Sequence, residues 1–197
     1  MSLSVRHASP SDADEMSTIL RVGFSRDPVF RWVYGSEEQY DRLAPAFFDL
    51  MVRRAFEFGD TYVIEGKGAL IGQLSTAGPC DETALYDELR QIGAERADPL
   101  VALVAALDKN HPTQREHWYA MFQAILPEYR SEGLGYPLSR FAIAEQDERN
   151  LPIYAETSTP RNLGFWESQG WKQTGNFDLA EGVRITQIWR EPGASAQ

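Results

Sequence analysis

The chain is poor in the residues that staple or ligate. It has one cysteine in 197 residues, Cys80, so no internal disulfide can form. Cys80 follows Pro79 with no partner in sight, which gives little reason to read it as a nucleophile. There are three histidines, His7, His111 and His117, and their spacing to one another and to carboxylates fits no metal-ligand pattern, so no metal is expected. The longest apolar run, Leu100 to Leu107, is far short of the ~20 residues that a membrane span needs. Basic clusters are missing too, with nothing longer than Arg53-Arg54. Lys and Arg number 19 against 29 Asp and Glu, a formal net charge of −10. Such a surface repels phosphate backbones, which argues against a nucleic-acid partner and favours a cationic small molecule. No basic-then-apolar leader opens the chain, which reads as cytoplasmic.

What is present is ordinary for a globular protein: 43% hydrophobic and 24% charged residues. At roughly 150 residues per domain, the length predicts one domain over 1–197. No repeat, linker or low-complexity segment divides it. Residues 3–8 read as a first strand. Pro10-Ser11 opens a helix, with Ser11 and Asp14 at capping-box spacing, and Asp27-Pro28 breaks the pattern. A longer helix is predicted over about 37–57, then a hairpin of strands 61–65 and 69–74 around Gly66-Lys67-Gly68. Residues 75–114 carry two helical patterns, about 82–92 and 99–108, and read as a helical insertion covering the site. A central strand follows over 118–126, then a loop over 127–135, a helix at 137–149, a strand at 153–157 and a short helix at 160–168. Strands at 174–177 and 183–190 close a mixed α/β order.

The stretch from Pro127 to Pro137 carries the most chemistry. Gly133 and Gly135 allow a tight turn and close approach of the backbone to a ligand. The helix that follows offers unpaired N–H groups and a partial positive charge, a setting for phosphate or pyrophosphate. The same two glycines would serve equally to shape a strand-to-helix turn. A dinucleotide or P-loop reading fits poorly, because the third glycine and a G-K-[ST] are both missing.

Arg130-x-x-Gly133-x-Gly135 matches the [QR]-x-x-G-x-[GA] motif of the GNAT (GCN5-related) N-acetyltransferases. HWYAMFQAILPEYR before it resembles that family's fourth strand. YAETSTPRNLGFWESQGW after it resembles the fifth strand, next helix and closing aromatic turn. The three pieces stand in family order over about 117–172, and Val5-Arg6-His7-Ala8 with Asp12-Ala13-Asp14 is similar to the family opening. The resemblance implies the GNAT acyl-CoA N-acyltransferase fold: a mixed central sheet, α/β (α+β) in class, flanked by helices, with the fourth and fifth strands splayed around pantetheine. It implies acetyl-CoA as co-substrate. Backbone groups near Gln123 and Ile125 would pair with the pantetheine, and the Gln123 N–H would polarise the thioester carbonyl. The motif Arg130 and N–H groups of Ser131, Glu132, Gly133, Leu134, Gly135 and Tyr136 would hold the pyrophosphate, and Asn162 would contact the cofactor arm.

The chain also departs from the family pattern. Trp166 stands where many members place a tyrosine that protonates the leaving thiolate; its indole N–H donates only and is no general acid. Tyr119 stands where some members carry a basic glutamate. Ser131 and Glu132 replace the glycine and basic residue often found in the pyrophosphate loop, and a carboxylate there would weaken anion binding unless it points away. His117 shares side-chain parity with Tyr119 and is a candidate base, as is Glu156 on the fifth strand. Each has a plain alternative, a strand cap for His117 and a structural carboxylate for Glu156. Tyr119 would shuttle a proton, shape the acceptor pocket or only pack. Trp32, Tyr34 and Trp118 are further candidates for the acceptor pocket.

The reading is an acetyl-CoA-dependent N-acetyltransferase acting on the primary amine of a small molecule, in a family where homodimers are common. The alternative is a GNAT-fold protein that binds acyl-CoA without turnover.

Overall fold

A computed structural model describes residues 4–77 and 82–194, so Cys80 and Pro79 lie outside the described residues. The chain runs β1 (Arg6–His7), α1 (Ala13–Phe24), α2 (Pro28–Tyr34), α3 (Glu37–Phe58), β2 (Gly59–Ile64) and β3 (Gly68–Leu74). Then come α4 (Glu82–Gly93), α5 (Ala97–Asn110), β4 (Trp118–Ile125), α6 (Gly135–Glu148), β5 (Ile153–Thr157), α7 (Leu163–Glu167), β6 (Lys172–Ala180) and β7 (Val183–Arg190). Among the described residues the strands form one sheet in the order β1-β2-β3-β4-β5-β7-β6, mixed because β4 and β5 are parallel and the other pairs antiparallel. No helix among the described residues is long and apolar enough to cross a membrane.

Local chemistry explains where the structure departs from the sequence reading. The first strand shrinks to Arg6–His7, which pair with Val63 and Tyr62. The capping residues are Ser9 and Asp12, not Ser11 and Asp14. Pro10 fixes the entry φ, so the Ser9 N–H donates to Asp12 Oδ2 at 2.7 Å, and Arg6 grips the same carboxylate with two bonds of 2.8 Å. Asp27-Pro28 ends one helix and also starts another: Asp27 Oδ1 accepts the Val29 N–H at 2.9 Å and Pro28 occupies the first turn of α2. Residues 127–132 form a 3-10 turn, and α6 begins at Gly135, before the expected 137.

The sheet separates two apolar clusters. On one face α1, α2 and α3 pack Met16, Ile19, Leu20, Phe30, Phe47 and Phe48 against Val63, Ile71 and Ala124. Phe122 of β4 lies 5.4 to 6.2 Å from Phe24, Phe30, Phe47 and Phe48, an array in which each edge contact adds about 0.5–1.5 kcal/mol beyond its area. On the other face α6 and α7 cover Leu70, Trp118, Ile153, Ala155 and Ile188. α4 and α5 lie on the first face. Arg96, just before α5, donates to the carbonyls of Trp32 and Val33 at 2.9 and 2.6 Å, capping α2 with a cation as its dipole favours.

Two features shape the middle of the sheet. β4 carries an extra residue: Gly72 pairs with Ala120 and Ile71 with Phe122, leaving Met121 as a bulge. A bulge reverses side-chain parity and adds twist. Trp118 and Ala120 face the α6 cluster, and beyond the bulge Ile125 faces it again. Second, β4 and β5 pair only through Trp118–Ala120 and Ile153–Ala155, then part.

α1 meets β4 at Gly23, where an added Cβ would stand 2.4 Å from the Ala124 Cβ. Gly23→Val should therefore cost about 2–3 kcal/mol despite its better helix propensity, because neither main chain can withdraw cheaply. Urea unfolding would measure it. Ala124→Gly in the same chain should restore part of the loss, and an unchanged midpoint in Gly23→Val would refute this contact.

Candidate functional site

A central strand covered on both sides should be buried along its length. In β4 only Trp118 and Ala124 are buried, and the residues between them are half-exposed. The open side is the one β5 leaves. The Trp118 N–H points that way, donating to the Pro152 carbonyl at 2.9 Å. An added Cβ at Gly68 would strike Ile125 Cδ1 and Leu138 of α6, and the Gln123 side chain donates to the Gly135 carbonyl at 3.1 Å, so both side chains share Trp118's face. In a strand, residues on one face also send their N–H groups to one side. The amides of Gln123 and Ile125 therefore aim into the gap.

The gap leads to the turn before α6. Gly133 sits at φ +70, with nothing within 4 Å of where a Cβ would be. Leu134 anchors the turn in the core, and Gly135 begins the helix; the Tyr136 N–H already donates to the Gly133 carbonyl at 3.2 Å, the Leu138 N–H to the Leu134 carbonyl at 3.3 Å, and Pro137 has no N–H to offer. Ser131 and Glu132 end the 3-10 turn, exposed. Arg130 does not point outward: its guanidinium donates to the carbonyls of Gly23 at 2.9 Å and Ile125 at 3.3 Å, tying the turn to α1 and β4. Glu132 is partnered by Lys67 of the β2–β3 hairpin at 3.2 Å, and the Lys67 ammonium also lies 4.5 Å from the Tyr129 ring centre. Tyr136 is exposed, its hydroxyl 2.9 Å from Ser168 Oγ and its ring 4.7 Å from that of Phe165. Asn162 is exposed at the end of the turn before α7.

Further predicted residues, His117, Tyr119 and Glu156, gather on the opposite face with two that the sequence does not single out, Tyr154 and His111. Tyr154 and Glu156 of β5 point there, with Tyr119 of β4, His117 just before it and His111 at the end of α5. The His111 ring centre lies 4.9 Å from His117, 4.8 Å from Tyr119 and 5.0 Å from Tyr154. Glu156 is largely buried, and its Oε1 has no hydrogen-bond partner. Desolvation lifts its pKa to about 7, opposed by the facing hydroxyls of Tyr119 and Tyr154 and assisted by Asp108 of α5. Burial, then the carboxylate, pushes the Tyr119 phenol far above its usual range.

His117 is fully buried with both ring nitrogens engaged. Its Nδ1 lies 2.8 Å from the Arg115 carbonyl, which can only accept, so Nδ1 carries the proton. Its Nε2 then accepts from His111 Nε2–H at 2.9 Å. The ring nitrogen outside this pair is Nδ1 of His111. Burial, with His117 as a lesser cause, holds His111 down at about 4, and burial lowers His117 also, so both are neutral at pH 7. Sequence reasoning does not pick out His111, although its place at a predicted helix end before Pro112 is a signal. Asp27 is the other missed acid. It is largely buried, burial raises its pKa, and its Oδ2 accepts the Ser158 hydroxyl at 2.5 Å.

The candidates thus divide between two faces. Trp166 belongs to the α6 side, packed against Phe165 and Trp171 at 4.7 and 5.3 Å, with its Nε1 buried and unpaired. It does not join Tyr119, His117 and Glu156. Trp118 also faces the α6 cluster, donating to Asp60 Oδ2 at 2.8 Å, and Tyr34 is sealed in the aromatic core, so neither lines an acceptor pocket on the Glu156 face.

Known proteins share this fold. No family model matches the chain. Among solved structures, a Corynebacterium glutamicum protein described as histone acetyltransferase HPA2 and related acetyltransferase aligns over all of both chains, at 21% identity and TM-score 0.71. A mosquito arylalkylamine N-acetyltransferase like 5b aligns over 96% of this chain and all of its own, at 14% identity and TM-score 0.59. The Drosophila melanogaster polyamine N-acetyltransferase, which forms N-acetylagmatine, aligns over 95% and 98%, at 11% identity and TM-score 0.62. The chain has the GNAT acetyltransferase fold.

The raised pKa of Glu156 makes a prediction about stability. Between the ordinary 4.5 and about 7 the folded state holds a proton that the unfolded state has released, so this group's contribution falls as pH rises through that window. Glu156→Gln removes the dependence. Its stability relative to wild type should improve by on the order of 2 kcal/mol from pH 4.5 to pH 8, read as a rising difference in Tm. A difference independent of pH would show that Glu156 titrates normally.

Proposed function

We propose that the protein is an acetyl-CoA-dependent N-acetyltransferase acting on a small primary amine. The residues suit acyl-CoA. The side of β4 that β5 leaves open offers the Gln123 and Ile125 amides, and nothing stands within 4 Å of where a Gly133 Cβ would be, in the turn that leads to the α6 N-terminus. Acetyl-CoA would supply the activated acyl carbon. The Gln123 N–H would polarise the thioester carbonyl, and the α6 N-terminus would hold pyrophosphate with Lys67 offsetting Glu132.

The observation that carries the reading is the Glu156 carboxylate. It stands one residue beyond the last β4–β5 pair, with a buried oxygen that has no partner. A carboxylate with a pKa of about 7 suits removal of an amine proton at neutral pH. Asp27 and Asp108 add negative charge near this face, which favours an acceptor that arrives as a cation. His117 supports the phenols and is not the base, since its nitrogens are spent. Trp166 offers no proton to the departing thiolate, so that proton would come from solvent or from the amine.

Thiol release from acetyl-CoA across a panel of arylalkylamines, agmatine and polyamines tests the reading. kcat/KM should rise with pH through about 7 and then level. Glu156→Gln should lower kcat by about 10²–10⁴-fold and abolish that limb, with acetyl-CoA affinity intact. Binding of acetyl-CoA without thiol release for any amine would point instead to an acyl-CoA binder without turnover.

The acidic turn gives a separate test. Lys67→Ala leaves Glu132 uncompensated, so acetyl-CoA should bind about three- to tenfold more weakly at low salt, with the difference shrinking at high salt. Adding Glu132→Gln should restore affinity. Equal loss at both salt concentrations would remove charge as the cause.

A further inference from the structure

Gln187 lies on β7, paired to Glu156 across the β5–β7 ladder, and nothing in the motifs marks it. Its side-chain nitrogen makes two contacts, one to the Asn110 carbonyl at 2.7 Å and one to the Tyr154 hydroxyl oxygen at 3.0 Å. The first contact fixes the amide's orientation. A main-chain carbonyl only accepts, so the atom facing it must be nitrogen. The same nitrogen therefore gives its other N–H to the Tyr154 oxygen. That oxygen is now an acceptor, and its own proton is directed away from Gln187, toward the carboxylate it faces, Glu156.

The surroundings are built to admit this amide. An added Cβ at Gly175 of β6 would stand 2.6 Å from Gln187 Oε1, and the β6–β7 register shifts between Gln173 and Gly175. A side chain at 175 would push the amide off both partners. The charged and titratable groups around Glu156 are Tyr119 from β4, Tyr154 on its own strand and Asp108 from α5, with His111 and His117 packed on the phenols. Of the two phenols that face Glu156, Tyr154 is the one whose oxygen accepts from the Gln187 amide.

We propose that Gln187 is a positioning residue for the Glu156 carboxylate, acting through the Tyr154 hydroxyl, and that it ties this setting to the end of α5. As a statement about catalysis it rests on Glu156 being the base of the acetyl transfer. As a statement about the carboxylate it stands alone. Gln187 frees Tyr154 to donate, donation favours the charged base, and the Asn110 contact keeps α5 seated over the group it serves.

Direct titration tests it. Protein labelled with 13C at the glutamate side-chain carboxyl is titrated by NMR, with the Glu156 signal assigned by its loss in Glu156→Gln. Gln187→Met and Tyr154→Phe should each raise the proton affinity of Glu156 about threefold or more, roughly half a pH unit. The double variant should match Tyr154→Phe alone, because Gln187 acts through that hydroxyl. In turnover, the acid limb of kcat/KM should move up by the same amount. A Glu156 midpoint unmoved in folded Gln187→Met, or additive effects in the double variant, would overturn the proposal. Should Gln187→Met not fold, Tyr154→Phe decides the matter, since an unmoved midpoint there removes the hydroxyl from the argument. A shifted midpoint in a protein that releases no thiol with any amine would count against the acetyltransferase reading and leave the Gln187 assignment standing.

Discussion

The parting of β4 and β5 after three residue pairs sets the position of every other group at the site. Pairing in a sheet satisfies backbone N–H groups, and a strand that loses its neighbour leaves a row of them to water or a ligand. The Met121 bulge accompanies that loss, since it adds twist just where β4 must turn away from β5. It also restores Gln123 and Ile125 to the face of Trp118, and with it the direction of their amides. Glu156 is the first β5 residue past the pairing, so the gap has donors on one wall and a carboxylate on the other.

The end of α5 completes the second wall. There Asp108 and His111 close over the phenols, while Arg96 clamps the start of α5 to α2 and Gln187 holds its far end. One of the causes that lift the Glu156 pKa, the charge of Asp108, thus comes from a segment with no recognisable motif.

The amide wall is legible in the sequence and the acid wall largely is not, for a physical reason. Gly133, Gly135 and the apolar run from Trp118 are local signals, since turns and strands follow from neighbouring residues. The splay itself is expected from resemblance alone; no local pattern announces it. Glu156 and Tyr119 are candidates from the sequence, yet their environment depends on residues from α5, β7 and the segment before β4, brought together only by the chain's path. His117 shows the limit of parity reasoning. Parity gives its face, but not the Arg115 carbonyl and His111 that occupy its nitrogens. Trp166 shows another: its place in the motif is clear, while its packing on Trp171 beneath α6 depends on the whole sheet. Asp27-Pro28 reads as a stop because proline ends helices, although the same pair serves as a start when the aspartate caps it.

The charge distribution follows from the same geometry. A protein of net charge −10 is a poor partner for a polyanionic co-substrate unless the anion meets a local field of the other sign. The α6 N-terminus supplies that field from the main chain, which adds no formal charge, and Lys67 cancels the one carboxylate of the turn that it faces. Across the sheet, Asp27, Asp108 and Glu156 gather carboxyl groups on the face that the proposed cationic acceptor would meet. A parallel pair that opens in mid-strand lets the two fields meet, because the gap passes through the sheet that otherwise separates them. On the proposed reading, an anion would approach from the α6 side toward the open backbone amides and a cation from the α5 side toward the Glu156 carboxylate, with the sheet between the two fields until the reactants meet at the gap.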